Sequence, residues 1–148
     1  VRTEASKKIN RDLVLDIMGT DIDARMVEIA KENAQKAGVA SDITFKQMRV
    51  QDLRSDKING VIISNPPYGE RLSDDAGVTK LYAEMGEVFE PLKTWSKFIL
   101  TSDENFEKKF GRQADKKRKL YNGTLKVDLY QFFGERVRRQ ATSEKGNI

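Results

Sequence analysis

The residues best suited to chemistry are Asn65, Pro66, Pro67 and Tyr68, which close the apolar run in "GVIISNPPYGERL". An amide or exocyclic amino nitrogen is a poor nucleophile because its lone pair is delocalised. Two fixed carbonyl acceptors can take hydrogen bonds from its two N–H groups. That favours a pyramidal nitrogen whose lone pair points at a methyl donor. The side-chain oxygen of Asn65 and the backbone carbonyl of Pro66 are the candidates for such a pair. Consecutive prolines restrict the backbone and aim the Pro66 carbonyl in advance. Tyr68 adds a face on which a base displaced from its helix can stack. Catalysis of this kind works by positioning and electrostatics, without a strong base. The plainer alternative is a proline-stiffened turn, but Asn-Pro-Pro-Tyr directly after an apolar strand favours the functional reading.

Two acids stand in comparable places. Asp21 follows Gly19 at the end of "LVLDIMGTD". An acid there commonly accepts hydrogen bonds from ribose hydroxyls; the alternative is that it helps Asp23 start a helix. Asp52 ends the next strand, where it either accepts a bond from an adenine amino group or shapes a turn.

The elements that must hold these residues follow from periodicity. Leu13–Asp21 reads as a strand ending in a turn. Val27, Ala30, Ala34 and Ala37 recur at helical spacing, between an N-cap at Asp23 and a C-terminal Gly38. Ile43–Val50 alternates as a strand. Gly60–Ser64 is apolar on both faces, which suits a parallel strand covered by helices on both sides. The stripe Leu81, Tyr82, Met85, Val88, Phe89 and Leu92 predicts a helix. A strand ending in Thr101, Ser102 and Asp103 follows, then a short helix closed by Gly111. Last comes a strand, an Asn122-Gly123 turn favouring a tight hairpin, and another strand. The order predicts an α/β, mostly parallel doubly wound sheet with a C-terminal antiparallel hairpin, in which ligands sit beyond the carboxyl ends of the strands.

Composition narrows the chemistry. The 148 residues are 38% hydrophobic and 34% charged, enough for one domain with a core. No apolar run approaches a membrane span, so no membrane partner is expected. Histidine and cysteine are both absent. That excludes Ser-His and Cys-His catalysis and most zinc sites, so no metal is expected, and it fits a cytosolic protein. Residues 1–75 carry 12 basic and 13 acidic side chains, whereas residues 76–148 carry 15 and 10. The excess clusters in "KKFGRQADKKRKLYNG", which makes Lys116, Lys117, Arg118 and Lys119 candidates for nucleic-acid binding. A solvated lysine-rich surface is the competing explanation.

"NPPY" resembles the signature of S-adenosylmethionine-dependent amino-group methyltransferases. With "GTDID", "NPPYGERL", "TSD" and "KLYNG", the chain resembles the bacterial large-subunit ribosomal RNA guanine-N2-methyltransferases over nearly all of residues 12–133. The resemblance implies a Rossmann-like methyltransferase fold, S-adenosylmethionine as cofactor and ribosomal RNA as partner. It implies that Asp21 holds the cofactor ribose, Ile22 packs on its adenine and Asp52 binds the adenine amino group. It implies that Asn65, Pro66 and Tyr68 hold the guanine amino group, with Asn65 also beside the cofactor. Arg71 meets phosphate or a base edge, or else pairs with Glu70 to brace the loop.

The sequence departs from that pattern in one respect. The family's first strand ends in a glycine-rich acidic loop, and these 148 residues contain no G-x-G. The expectation is therefore a partial catalytic domain over residues 1–134 with a charged tail over 135–148. It would lack the central first strand, and an upstream segment or a second copy would complete the sheet. A DNA-adenine or protein-glutamine methyltransferase and a non-catalytic RNA-binding module are the rival readings.

Overall fold

The computed structural model describes residues 1–68 and 75–137. The chain divides into two compact units, Val1–Asp52 and Leu53–Ile148.

The first unit begins with an exposed helix, α1 (Arg2–Lys7). A parallel pair follows, β1 (Ile17–Asp21) and β2 (Ile43–Gln47), joined through α2 (Ala24–Ala37). Asp23 caps α2 by accepting from the Arg25 N–H, and Gly38 ends it at a left-handed φ of 74°. Val27 and Ala34 are the buried residues of its stripe. Both strands are shorter than the sequence suggests. The ladder begins at Ile17↔Ile43 and ends at Asp21↔Gln47. Leu13, Val14 and Leu15 therefore have no partner strand and are exposed. Beyond Gln47 the chain leaves the ladder, and Val50–Asp52 forms a 3₁₀ turn. Gly19 is needed in β1 because a Cβ there would meet the ring of Phe45 at 2.9 Å.

The second unit holds β3 (Val61–Ser64), α3 (Asp75–Phe89), β4 (Ser96–Thr101), α4 (Phe106–Phe110), β5 (Lys116–Asn122) and β6 (Leu125–Phe132). Its sheet has the order β3-β4-β6-β5, with β3 parallel to β4 and the other two pairings antiparallel. α3 stops before Pro91, which cannot continue a helix, and Leu92 is buried in the turn beyond. Helices α3 and α4 cover one face of the sheet. Phe106 lies at the centre of that core, its ring 5.0 Å from Tyr82, 5.0 Å from Phe110 and 4.8 Å from Tyr130. The two helices meet closely at Gly86, where any Cβ would strike the Phe110 carbonyl oxygen.

On β3 burial alternates instead of being continuous. Val61 is 58% and Ile63 81% exposed, because these two side chains point to the sheet face away from α3 and α4. β3 has β4 as its one neighbour, and β1 has β2, among the described strands. The entry to β3 is fixed all the same. The Trp95 ring occupies the space a side chain at Gly60 would need, and its indole N–H donates to the Lys57 carbonyl at 2.7 Å. The hairpin loop is Gly123-Thr124 between the paired residues Asn122 and Leu125. Positive φ falls on Gly123 alone, at 63°, as in a turn with glycine first. No helix among the described residues is long and apolar enough to cross a membrane.

Candidate active site

In the first unit, Asp21 and Ile22 stand at the carboxyl edge of the β1–β2 pair, and Asp52 closes the 3₁₀ turn that follows β2. Two bonds brace that edge: the Met48 N–H donates to the Asp21 carbonyl at 2.9 Å, and the Gln47 amide donates to the Ile22 carbonyl at 3.0 Å. One Asp21 carboxylate oxygen accepts from the Asp23 N–H at 2.8 Å. Asp21 thus does help begin α2, and its second oxygen has no partner among the described residues. Ile22 is 67% exposed, an apolar side chain held at the surface beside that carboxylate. Asp52 is engaged by Arg49, whose guanidinium donates to both its oxygens at 3.0 and 3.1 Å. Any further bond to Asp52 shares the carboxylate with that ion pair.

In the second unit, Asn65, Pro66, Pro67 and Tyr68 leave the carboxyl end of β3. Asn65 is exposed, Pro66 buried, and Pro67 and Tyr68 half-buried. The Asn65 side chain and the Pro66 carbonyl have no hydrogen-bond partner among the described residues. The next carbonyl is tied down: the Tyr82 hydroxyl donates to the Pro67 oxygen at 3.1 Å. Tyr82 also lies 2.9 Å from the Thr101 hydroxyl, and both residues are fully buried. Burial pushes the Tyr82 phenol above its ordinary pKa, so it remains a donor. Sequence reasoning read Tyr82 only as part of an apolar stripe, and Thr101 only as part of "TSD".

Beyond the carboxyl end of β4 a cleft of about 870 Å³ opens, lined by Asp75, Thr79, Ser102, Asp103, Asn105 and Lys109. Lys109 bridges Asp103 at 2.7 Å and Asp75 at 2.9 Å. Those bonds hold its ammonium above the ordinary lysine pKa.

Lys116, Lys117, Arg118 and Lys119 are all exposed on β5. They lie across the sheet from the loop: Ser64, Ile99, Tyr130 and Lys117 form one row, so three strand spacings of about 4.8 Å each separate them. Lys117 sits 3.7 Å from the buried Asp128 and over the Tyr130 ring. Lys116, Arg118 and Lys119 have no such tie among the described residues. Glu70 and Arg71 lie outside the described residues, as does the tail from 138 onward.

The RMKL-like methyltransferase domain matches residues 1–131. The chain belongs to that methyltransferase-domain family. YpsC of Bacillus subtilis (strain 168) is 53% identical over 142 residues, 95% of this chain and 37% of YpsC. A Legionella pneumophila (strain Philadelphia 1) protein named ribosomal RNA large subunit methyltransferase K/L is 35% identical over 131 residues, 88% of this chain and 18% of its own length. The crystal structure of SMU.472, complexed with SAH, superposes with a TM-score of 0.88 at 64% identity, covering 93% of this chain and 36% of SMU.472. The α/β methyltransferase fold of the RMKL-like family is thus the fold of this chain. The chain spans well under half the length of the relatives it matches.

Proposed function

We infer that this chain is part of an enzyme that transfers a methyl group from S-adenosylmethionine to the exocyclic N2 amino group of guanine in ribosomal RNA. The observation that carries this reading is the state of the loop after β3. Two acceptors, the Asn65 side-chain oxygen and the Pro66 carbonyl, stand without partners among the described residues, while the Pro67 carbonyl beside them is fixed. Such a pair is what an amino group needs if its lone pair is to be turned toward a methyl donor. Tyr68 supplies the stacking face for the base.

The first unit fits the nucleoside half of the cofactor. Asp21 offers a carboxylate oxygen for ribose hydroxyls, Ile22 an exposed apolar face for adenine, and Asp52 a shared acceptor for the adenine amino group. When bound, S-adenosylmethionine supplies an electrophilic methyl on a sulphonium. The Asn65 side-chain oxygen and the Pro66 carbonyl would hold the amino group by its two protons and leave its lone pair directed outward. No histidine or cysteine is required. The SAH held by SMU.472 and the ribosomal RNA in the name of the Legionella relative support donor and substrate. The part-length match, with β1 and β3 each having one neighbour among the described strands, supports a further segment of the complete enzyme that supplies strand partners.

The test is methyl transfer by the complete enzyme from labelled S-adenosylmethionine, followed by nucleoside analysis. Label in N2-methylguanosine of ribosomal RNA is the expected result, with turnover falling at least about a hundredfold in Asn65→Ala. Label in DNA adenine or protein glutamine refutes the substrate. RNA binding with no transfer at all refutes the enzyme reading in favour of a binding module.

A further inference from the structure

We propose that Tyr82 is a positioning residue for methyl transfer: its hydroxyl, oriented by Thr101, fixes the Pro67 carbonyl and so aims the Pro66 carbonyl at the amino group. The inference rests on the reading of Asn65–Tyr68 as the clamp on that group.

Tyr82 lies on α3, wholly buried, with its ring edge-on to Phe106 at 5.0 Å. A phenol has one proton. It goes to the Pro67 oxygen, 3.1 Å away and fifteen residues earlier in the chain. The Thr101 hydroxyl, 2.9 Å from the phenol oxygen, must then donate to it. Thr101 in turn accepts the Asp103 N–H at 3.1 Å. The order of protons is therefore fixed along the chain from Asp103 through Thr101 and Tyr82 to Pro67. Thr101 sits at the end of β4, and Asp103 is held by Lys109 and by the Tyr130 hydroxyl, which donates to its carbonyl at 3.1 Å. Each link is anchored in the core of the second unit.

The proline pair converts this anchor into aim. The ring fixes φ of Pro67 near −65°. With φ fixed, ψ of Pro67 is the one torsion left between the Pro67 carbonyl and the Pro66–Pro67 peptide plane that carries the Pro66 carbonyl, so anchoring the Pro67 oxygen restricts how that plane can turn. Holding one oxygen thus narrows the range of the other without touching it. The held oxygen is the one the substrate does not need.

Tyr82→Phe in the complete enzyme keeps the ring and its packing and removes only the donor. We expect kcat for methylation of large-subunit ribosomal RNA to fall about tenfold, with KM for S-adenosylmethionine and RNA within about twofold of wild type. The melting temperature should shift by no more than a few degrees. Thr101→Val, which removes the group that orients the phenol, should lower kcat in the same direction by less. A Tyr82→Phe enzyme with wild-type kcat, beside an inactive Asn65→Ala enzyme, overturns the positioning role and leaves the function reading standing. So does a loss of kcat that merely follows a collapse in melting temperature. Normal turnover by Asn65→Ala removes the clamp reading itself, and the inference with it.

Discussion

Tyr130 is the clearest titrating group in the core. Burial, reinforced by the negative charge of Asp128, pushes its phenol up to about 12. Tyrosine in the unfolded chain titrates near 10. The folded state therefore prefers the neutral phenol. The contribution of Tyr130 to stability is complete below about pH 10 and is lost as pH rises toward 12, because unfolding then releases its proton. Melting curves from pH 8 to 12 should show Tm falling across that window. Tyr130→Phe should flatten the fall while costing about 1 kcal/mol at neutral pH, from the lost bond to the Asp103 carbonyl. An equal alkaline slope in the two proteins would assign the fall to other groups. At this scale the sequence singled out Asn65, Pro66 and Asp21 by side-chain type and by their place at a strand end, and the structure does put them at the carboxyl ends of β1 and β3. It could not single out Tyr82. A tyrosine in an apolar stripe reads as core, and its partners Pro67 and Thr101 are 15 and 19 residues away, brought near only by tertiary packing.

The hairpin of β5 and β6 shows what an element adds to a charge count. In the sequence Lys116, Lys117, Arg118 and Lys119 form one basic run. On the strand they alternate, and the cross-strand pairs place Lys117 beside Tyr130 and Arg118 beside Leu129, on opposite faces. Lys117 is partly neutralised by Asp128, whereas Lys116, Arg118 and Lys119 are not. β5 is also an edge strand, and lysines on an edge discourage pairing with other chains. RNA binding separates the two explanations. Replacing Lys116, Arg118 and Lys119 together by alanine should reduce the dependence of log K on log salt by about 2, at roughly 0.7 per lost phosphate contact with single-stranded RNA. Binding measured at four or five salt concentrations gives the slope, and an unchanged slope leaves only the edge-protecting role. Element order and type were otherwise readable from periodicity and from signals such as Asp23 and Gly38. Strand ends and the cover of each face were not, since both depend on the neighbouring strand. The apolar run of β3 predicted burial on both faces, and Ile63 is 81% exposed.

At the scale of the molecule, Asp21 and Ile22, proposed to hold the nucleoside, belong to one compact unit and the Asn65 loop to the other. Each unit carries its own sheet, and in each a strand bearing site residues, β1 or β3, has a single neighbour among the described strands. The order of strands and helices from β1 onward was legible in the sequence, whereas α1 was not. The division into two units was not, because it depends on tertiary contacts inside each unit that no local pattern states. The consequence for the cofactor can be bounded. Exposed hydrogen bonds to ribose are worth about 1 kcal/mol each, and contact between Ile22 and adenine adds a comparable amount. Those terms fall short of the roughly 8 kcal/mol that micromolar binding represents and leave the methionine end of the cofactor unheld. Residues 1–148 alone should therefore bind S-adenosylmethionine no more tightly than about 1 mM, which corresponds to about 4 kcal/mol. The complete enzyme should bind it in the micromolar range. Calorimetry on both proteins makes the comparison. Micromolar binding by residues 1–148 would overturn that expectation.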